Sequence, residues 1–118
     1  MTPEAATRVV EPLMSGRESM CFGLSEPGAG SDASRITTRA RRDGDGWRIT
    51  GAKIWTSNAP IADYCILFAR TDTAEGDGGG VTAFLTPTDA PGFSIRRVVK
   101  LFGHIGGDEA EISIDDLK

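Results

Sequence analysis

The sequence has little that could build a covalent or metal-held framework: 118 residues carry two cysteines, Cys21 and Cys65, and one histidine, His104. Two cysteines cannot specify a disulfide scaffold. Each also sits in an apolar, strand-like run, where a reduced thiol behaves as a small hydrophobe. His104 lies between Gly103 and Ile105 with no second histidine or paired cysteine nearby, so it reads as an exposed loop residue and no metal site is expected. Basic charge is not in excess either: 13 Lys and Arg against 17 Asp and Glu give a net charge of -4. That balance argues against a chain built to hold phosphate backbones, so no nucleic acid partner is expected. No apolar run is long enough to span a bilayer. The start, Met1-Thr2-Pro3-Glu4, has neither the basic residues nor the apolar stretch of a signal, so the expectation is a cytoplasmic protein without a membrane partner.

What is present suits one folded domain: 39% apolar and 25% charged residues, enough to bury a core without metal or disulfides. The first sixteen residues read as a helix. Thr2 can cap it, Pro3 suits its first turn, and Ala6, Val9, Val10, Leu13 and Met14 form an apolar stripe, while Pro12 should bend or end it early and Gly16 supplies a stop. From Met20 onward the pattern turns to short strands over 20–24, 37–42, 47–55, 63–70, 81–87, 93–101 and 108–115. Asp43-Gly44-Asp45-Gly46 is a hairpin signal, and 75–80, rich in glycine, is a longer connection. Tyr64 to Ala69 is apolar on both faces and should be the central strand. In the last strand Ala110, Ile112 and Ile114 alternate with Glu111, Ser113 and Asp115, one dry face and one wet. The fold class expected is all-β, an antiparallel barrel or Greek-key-like domain over 18–118 with a short N-terminal helix over 1–17.

Two segments could carry chemistry. In the first, Met20-Cys21-Phe22-Gly23-Leu24-Ser25-Glu26-Pro27-Gly28-Ala29-Gly30-Ser31-Asp32, a strand runs into a glycine-rich loop. Glycines let a ligand approach the backbone, and Ser25 and Ser31 add hydroxyls; the bland alternative is a surface turn. Gly28 to Ala33 also fits the loose dinucleotide-turn pattern, a reading that requires a following helix where the sequence looks strand-like. In the second, Gly51-Ala52-Lys53-Ile54-Trp55-Thr56-Ser57-Asn58-Ala59-Pro60, Trp55 and Ser57 share a parity and would set an indole beside a hydroxyl on one face. A flat heteroaromatic ligand wants that combination. The alternative is a core tryptophan followed by a turn. Arg35, Arg39, Arg41, Arg42 and Arg48 could attract phosphates but read better as a solvated face.

The stretches MCFGLSEPGAGSDAS, DGWRITGAKIWTSNA, YCILFAR and AEISIDDLK, in this order and spacing over nearly the whole chain, resemble the middle domain of the acyl-CoA dehydrogenase family. The resemblance implies FAD as cofactor, an acyl-CoA substrate, and a larger α+β flavoenzyme of which this chain is a fragment, lacking the C-terminal helical domain. The 1–17 segment would be the helix leading from an N-terminal domain. Phe22, Leu24 and Ser25 would line the flavin ring, with Leu24 and Ser25 at its pyrimidine edge. Gly30 and Ser31 would meet cofactor and acyl-CoA, Ser31 on the CoA side. Trp55 would cover one flavin face, Thr56 would contribute backbone, and Ser57 would hydrogen-bond near N5, the hydride acceptor. The family often has threonine at the positions of Ser25 and Ser57; serine keeps the hydroxyl. The glutamate that removes the substrate α proton belongs to the missing bundle, so this chain carries no catalytic residue and should be inactive alone, with Glu26 bracing its turn. The resemblance further implies electron-transfer flavoprotein or another acceptor as a partner and a homo-oligomeric parent. The alternative function is a stand-alone β-barrel module for a small hydrophobic ligand.

Overall fold

The computed structural model describes residues 2–71 and 79–118. Among them, the elements run α1 (Pro3–Met14), β1 (Met20–Gly23), a 3-10 turn (Ala33–Arg35), β2 (Arg39–Asp43), β3 (Gly46–Ser57), β4 (Tyr64–Thr71), β5 (Gly80–Pro87), β6 (Phe93–Val99) and β7 (Glu109–Leu117). Most of the expected 75–80 connection lies outside the described residues.

Thr2 caps α1, its Oγ1 accepting from the Ala5 amide at 3.2 Å, and Pro3 occupies the first turn. The helix runs through Pro12 and stops at Met14, two residues short of the expected end, where Ser15 closes it and Gly16 takes φ +71°. A proline this near the C-terminus removes one bond from the helix without breaking its last turn. Of the stripe, Val9 is buried whereas Val10 and Met14 are exposed.

The seven described strands form one curled sheet, a half-barrel, in the order β1-β4-β2-β3-β7-β6 with β5 on the other edge of β4. The all-β expectation holds, with one difference in strand direction. β1 and β2 both run parallel to β4, end to end along one of its edges, pairing Met20 to Gly23 with Tyr64 to Leu67 and Arg39 and Ala40 with Arg70 and Thr71. Parallel neighbours need a long connection between them. β1 reaches its parallel neighbour β4 through residues 24–63, and the first stretch of that path, 24–38, leads to β2 and carries the loop of the first motif.

β4 is central, paired to three strands, yet only one of its faces is fully dry: Cys65, Leu67, Ala69 and Thr71 are buried and the residues between them half-buried. The core joins this face to Ile49 of β3, Phe93 of β6 and Ala110, Ile112, Ile114 and Leu117 of β7. The dry face expected for the last strand is therefore present. Cys21 and Cys65 are free, buried and opposite each other in the β1–β4 register. The bond between the two thiols and burial push the Cys65 thiol up from its ordinary value.

The long connection is anchored by a buried ion pair. Lys53 on β3 is 1% exposed and Glu26 is 6% exposed. The Lys53 ammonium donates to Glu26 Oε1 at 2.9 Å and to the Leu24 carbonyl at 3.1 Å. The same carboxylate accepts from the amides of Thr37 (2.6 Å) and Thr38 (2.9 Å) and from both hydroxyls (2.7 and 2.5 Å). Glu26, just past β1, thus holds the segment that enters β2. Burial pushes the Glu26 carboxyl up, but the bonds from Thr38, Lys53 and Thr37 outweigh it and hold the group at about 2. Burial pulls the Lys53 ammonium down from the usual lysine range, against the opposing pull of Glu26. Gly51 makes room for this arrangement: a Cβ there would fall 2.4 Å from Thr38 Oγ1 and 2.7 Å from its Cα.

Three outcomes follow for the folded chain. Lys53→Met leaves the Glu26 carboxylate buried without its cation and should cost about 3–5 kcal/mol in urea denaturation; a loss below about 1 kcal/mol would mean that the pair behaves like a solvated surface bridge. Gly51→Ala should cost about 1–3 kcal/mol by overpacking against the Thr38 backbone, and an unchanged urea midpoint would show that Thr38 moves freely. Because the Glu26 pKa is depressed by folding, its stabilisation is complete above the unfolded glutamate value of about 4.3 and is lost as pH falls toward the folded value. Denaturation midpoints should therefore fall between about pH 4.5 and pH 2 in the wild type, and this acid step should shrink in Glu26→Gln.

Candidate functional site

The two motif segments meet at the end of β1. The Ile54 amide donates to the Ser25 carbonyl at 2.9 Å, next to the Lys53 bond to Leu24, so the backbone of Leu24 and Ser25 is fixed on both sides of the Lys53-Ile54 step. Leu24 and Ser25 are half-buried. Phe22 is 59% exposed and stacks on Phe68 with ring centroids 6.0 Å apart.

β3 changes face where it passes this junction. Lys53 pairs with Ile112 and Thr56 with Ala110, three steps on β3 against two on β7, a β-bulge. Trp55 takes φ +58°, the left-handed region that a large side chain rarely enters. The consequence is a reversal of burial: Lys53 is inside, while Trp55 and Ser57, of the same parity, are both outside, with Thr56 fully buried between them. Both the indole and the hydroxyl are exposed, and a bulge sets which way they face. An exposed tryptophan (51%) and phenylalanine flanking a rigid backbone step offer apolar area to a flat ring, and Ser57 offers a polar atom at the rim. These residues fit one side of a heteroaromatic cofactor.

Ser57 Oγ donates to Glu109 Oε1 across the β3–β7 register at 2.7 Å. Glu109 is 9% exposed; its Oε2 and the Thr56 hydroxyl are buried without a partner. Nothing in the sequence pattern of 109–115 singled out Glu109, since its contact comes from the pairing of β7 with a bulged β3. Lys53 left a faint signal, a charged residue on the inward parity of Ile49 and Gly51.

Gly30 and Ser31 lie on the exposed loop between the turn closed by the paired Glu26 and Ala29 backbones and the 3-10 turn. Asp32 Oδ1 accepts from the Ser34 amide and hydroxyl there. Only three residues of 3-10 turn follow Gly30, so the dinucleotide-turn reading of Gly28 to Ala33 falls for want of its helix. Glu26 braces its turn, as expected. Arg35, Arg39, Arg41 and Arg42 are exposed, Arg42 over the Trp47 ring at 4.4 Å, while Arg48 is half-buried and holds Asp43 at 2.8 Å and Asp116 at 2.5 Å. His104 is exposed, and among the described residues no cluster of metal-ligating side chains occurs and no helix is long and apolar enough to cross a membrane.

Known proteins agree with this architecture. The family model "Acyl-CoA dehydrogenase, middle domain" matches residues 21–117. Acyl-CoA dehydrogenase IpdE1 of Mycobacterium tuberculosis is 38% identical over 99% of this chain and 30% of its own length. The human mitochondrial short-chain specific acyl-CoA dehydrogenase is 39% identical over 92% of this chain and 26% of its own. Among solved structures, butyryl-CoA dehydrogenase from Megasphaera elsdenii superposes with TM-score 0.89 at 34% identity, over 98% of this chain and 30% of that one. A glutaryl-CoA dehydrogenase from Mycobacterium smegmatis, in complex with FADH2, gives 0.86 at 33% identity over 98% of this chain and 28% of that one. This chain thus spans under a third of the length of these relatives. With the family model covering all of the sheet and of both motif segments except Met20, the chain belongs to the acyl-CoA dehydrogenase family, as its middle domain.

Proposed function

We infer that this domain forms one wall of the FAD and acyl-CoA site of an acyl-CoA dehydrogenase, an oxidoreductase acting on the CH–CH bond of acyl-CoA thioesters. The observation that supports the reading is the bond from the Ile54 amide to the Ser25 carbonyl, which joins the two motif segments one residue before the exposed Trp55. Bound FAD supplies the redox chemistry. The chain's own residues bind and orient. Phe22, Leu24 and Ser25 line the ring, Leu24 and Ser25 at its pyrimidine edge; Trp55 covers one face and excludes water; Thr56 contributes backbone; Ser57 hydrogen-bonds near N5. Gly30 and Ser31 reach toward the acyl-CoA, Ser31 on the CoA side.

The general base comes from elsewhere in the parent. Glu26 is locked by five donors, and Glu109 lies behind Ser57, so neither presents a carboxylate to a substrate. In the same reading, residues 1–17 lead from a helical N-terminal domain, a C-terminal bundle closes the site, and the parent is a homo-oligomer that passes electrons to electron-transfer flavoprotein or another acceptor.

Purified alone, the chain should be colourless and inactive toward acyl-CoA even with FAD added, because one wall encloses too little of the cofactor for tight binding. Stoichiometric yellow flavin surviving gel filtration would overturn the single-wall reading. In the flavin-loaded parent, Ser57→Ala should slow reduction by substrate in stopped flow by an amount equivalent to about 1–3 kcal/mol. Reduction at the wild-type rate in a fully loaded variant would remove Ser57 from the site.

A further inference from the structure

Among the described residues, Glu109 is an anomaly of charge. The other buried carboxylate, Glu26, has Lys53, and its neighbours in β7 and the loop before it are paired too, Glu111 with Arg97 and Asp108 with Lys100. Glu109, although 9% exposed, has no cation. Its one bond is from Ser57 Oγ, and its second oxygen is buried with no partner. A buried carboxylate held this poorly is costly to keep, and an exposed hydroxyl is an unusual group for it to rest on.

The bond decides what Ser57 offers to the outside. A hydroxyl has one hydrogen and two lone pairs, and a carboxylate only accepts. With its hydrogen given to Glu109 at 2.7 Å, Ser57 turns lone pairs, not a donor, toward the open surface beside Trp55.

We propose that Glu109 is a positioning residue that acts through Ser57, holding its hydrogen so that the surface accepts a hydrogen bond from the ligand rather than giving one. The inference rests on the flavin reading above and deepens it. The N5 of oxidised flavin carries no hydrogen and can only accept, so it competes with Glu109 for the single Ser57 hydrogen. Reduced flavin carries N5–H and donates to Ser57 while the Ser57–Glu109 bond stays intact. Glu109 therefore weakens the hold on the oxidised ring and leaves the reduced ring with both bonds.

The test is a double-mutant cycle on FAD affinity in the intact enzyme that carries this domain, stripped of flavin and titrated with oxidised FAD. Glu109→Gln keeps the side-chain shape and can donate to Ser57, which frees the Ser57 hydrogen for N5; it should tighten FAD binding about tenfold, the worth of one uncontested hydroxyl bond. Adding Glu109→Gln to Ser57→Ala should change nothing. Glu109→Met, which removes the acceptor without adding a donor, should repeat the gain and replaces Glu109→Gln if that variant does not fold. Affinity unchanged or weakened by both substitutions overturns the proposal, as does a gain that persists without Ser57, which would mark a general effect of removing negative charge. Stopped-flow reduction of Ser57→Ala separates the two levels: a wild-type rate there removes Ser57 from the flavin site altogether, whereas a slowed rate with no Ser57-dependent gain in affinity removes Glu109 alone.

Discussion

The Lys53–Glu26 ion pair is the constraint on which the site depends. A sheet that places β1 and β2 end to end on the same edge of β4 must carry fifteen intervening residues out and back, 24–38. Without an anchor such a connection would be a loose surface loop. Glu26 gathers the returning amides and hydroxyls of Thr37 and Thr38, and Lys53 ties that carboxylate to β3. A buried pair of this kind is not chosen for stability, since well-packed apolar residues serve as well or better. Its geometry bears on register: the ammonium reaches Leu24 O and Glu26 at once, and the residue between them, Ser25, accepts from the Ile54 amide.

From that point the geometry of β3 follows. Lys53 must face inward to meet Glu26, and a regular strand would then turn Trp55 and Ser57 inward as well, because side chains alternate with period two. The bulge between Lys53 and Thr56 resolves the conflict by adding one residue. Trp55 bears the local cost as a positive φ. Strain at such a place is tolerated only where the surroundings over-determine it, and here the strand is bonded to the Leu24-Ser25 backbone on one side and to β7 on the other. An apolar indole and a hydroxyl are thereby delivered to the outside from a strand whose preceding charge is buried.

The same bulge brings Ser57 opposite Glu109, and the polarity of the rim passes from Ser57 to a residue on a different strand. The wall is thus built in two layers. In the proposed flavin wall, Trp55, Phe22 and the backbone of Leu24 and Ser25 would give shape, and Glu109, bonded to Ser57, would set the direction of the Ser57 hydrogen bond.

Much of this was legible beforehand. The hairpin at 43–46, the strand positions, the dry face of β7 and the family resemblance come from local chemistry: Asp-Gly turns, alternating apolar residues, and motif residues that stay adjacent in the chain. The same holds for the shared parity of Trp55 and Ser57, though not for the face they take, and for the bracing role of Glu26. The parallel pairing of β1 and β2 with β4, the burial of Lys53 beneath the loop, the bulge at Trp55 and the capture of Ser57 by Glu109 were not. Each joins residues separated by 27 to 52 positions or more, and beyond the inward parity of Lys53 none leaves a periodic trace, because a lysine or glutamate looks the same in sequence whether it faces water or a buried partner. Composition and pattern determined that this chain would be a β domain, and its motif stretches carried the family resemblance; the order in which strands meet decided which charges were buried and what the candidate site presents, since contacts between distant residues exist only once the sheet has closed around them.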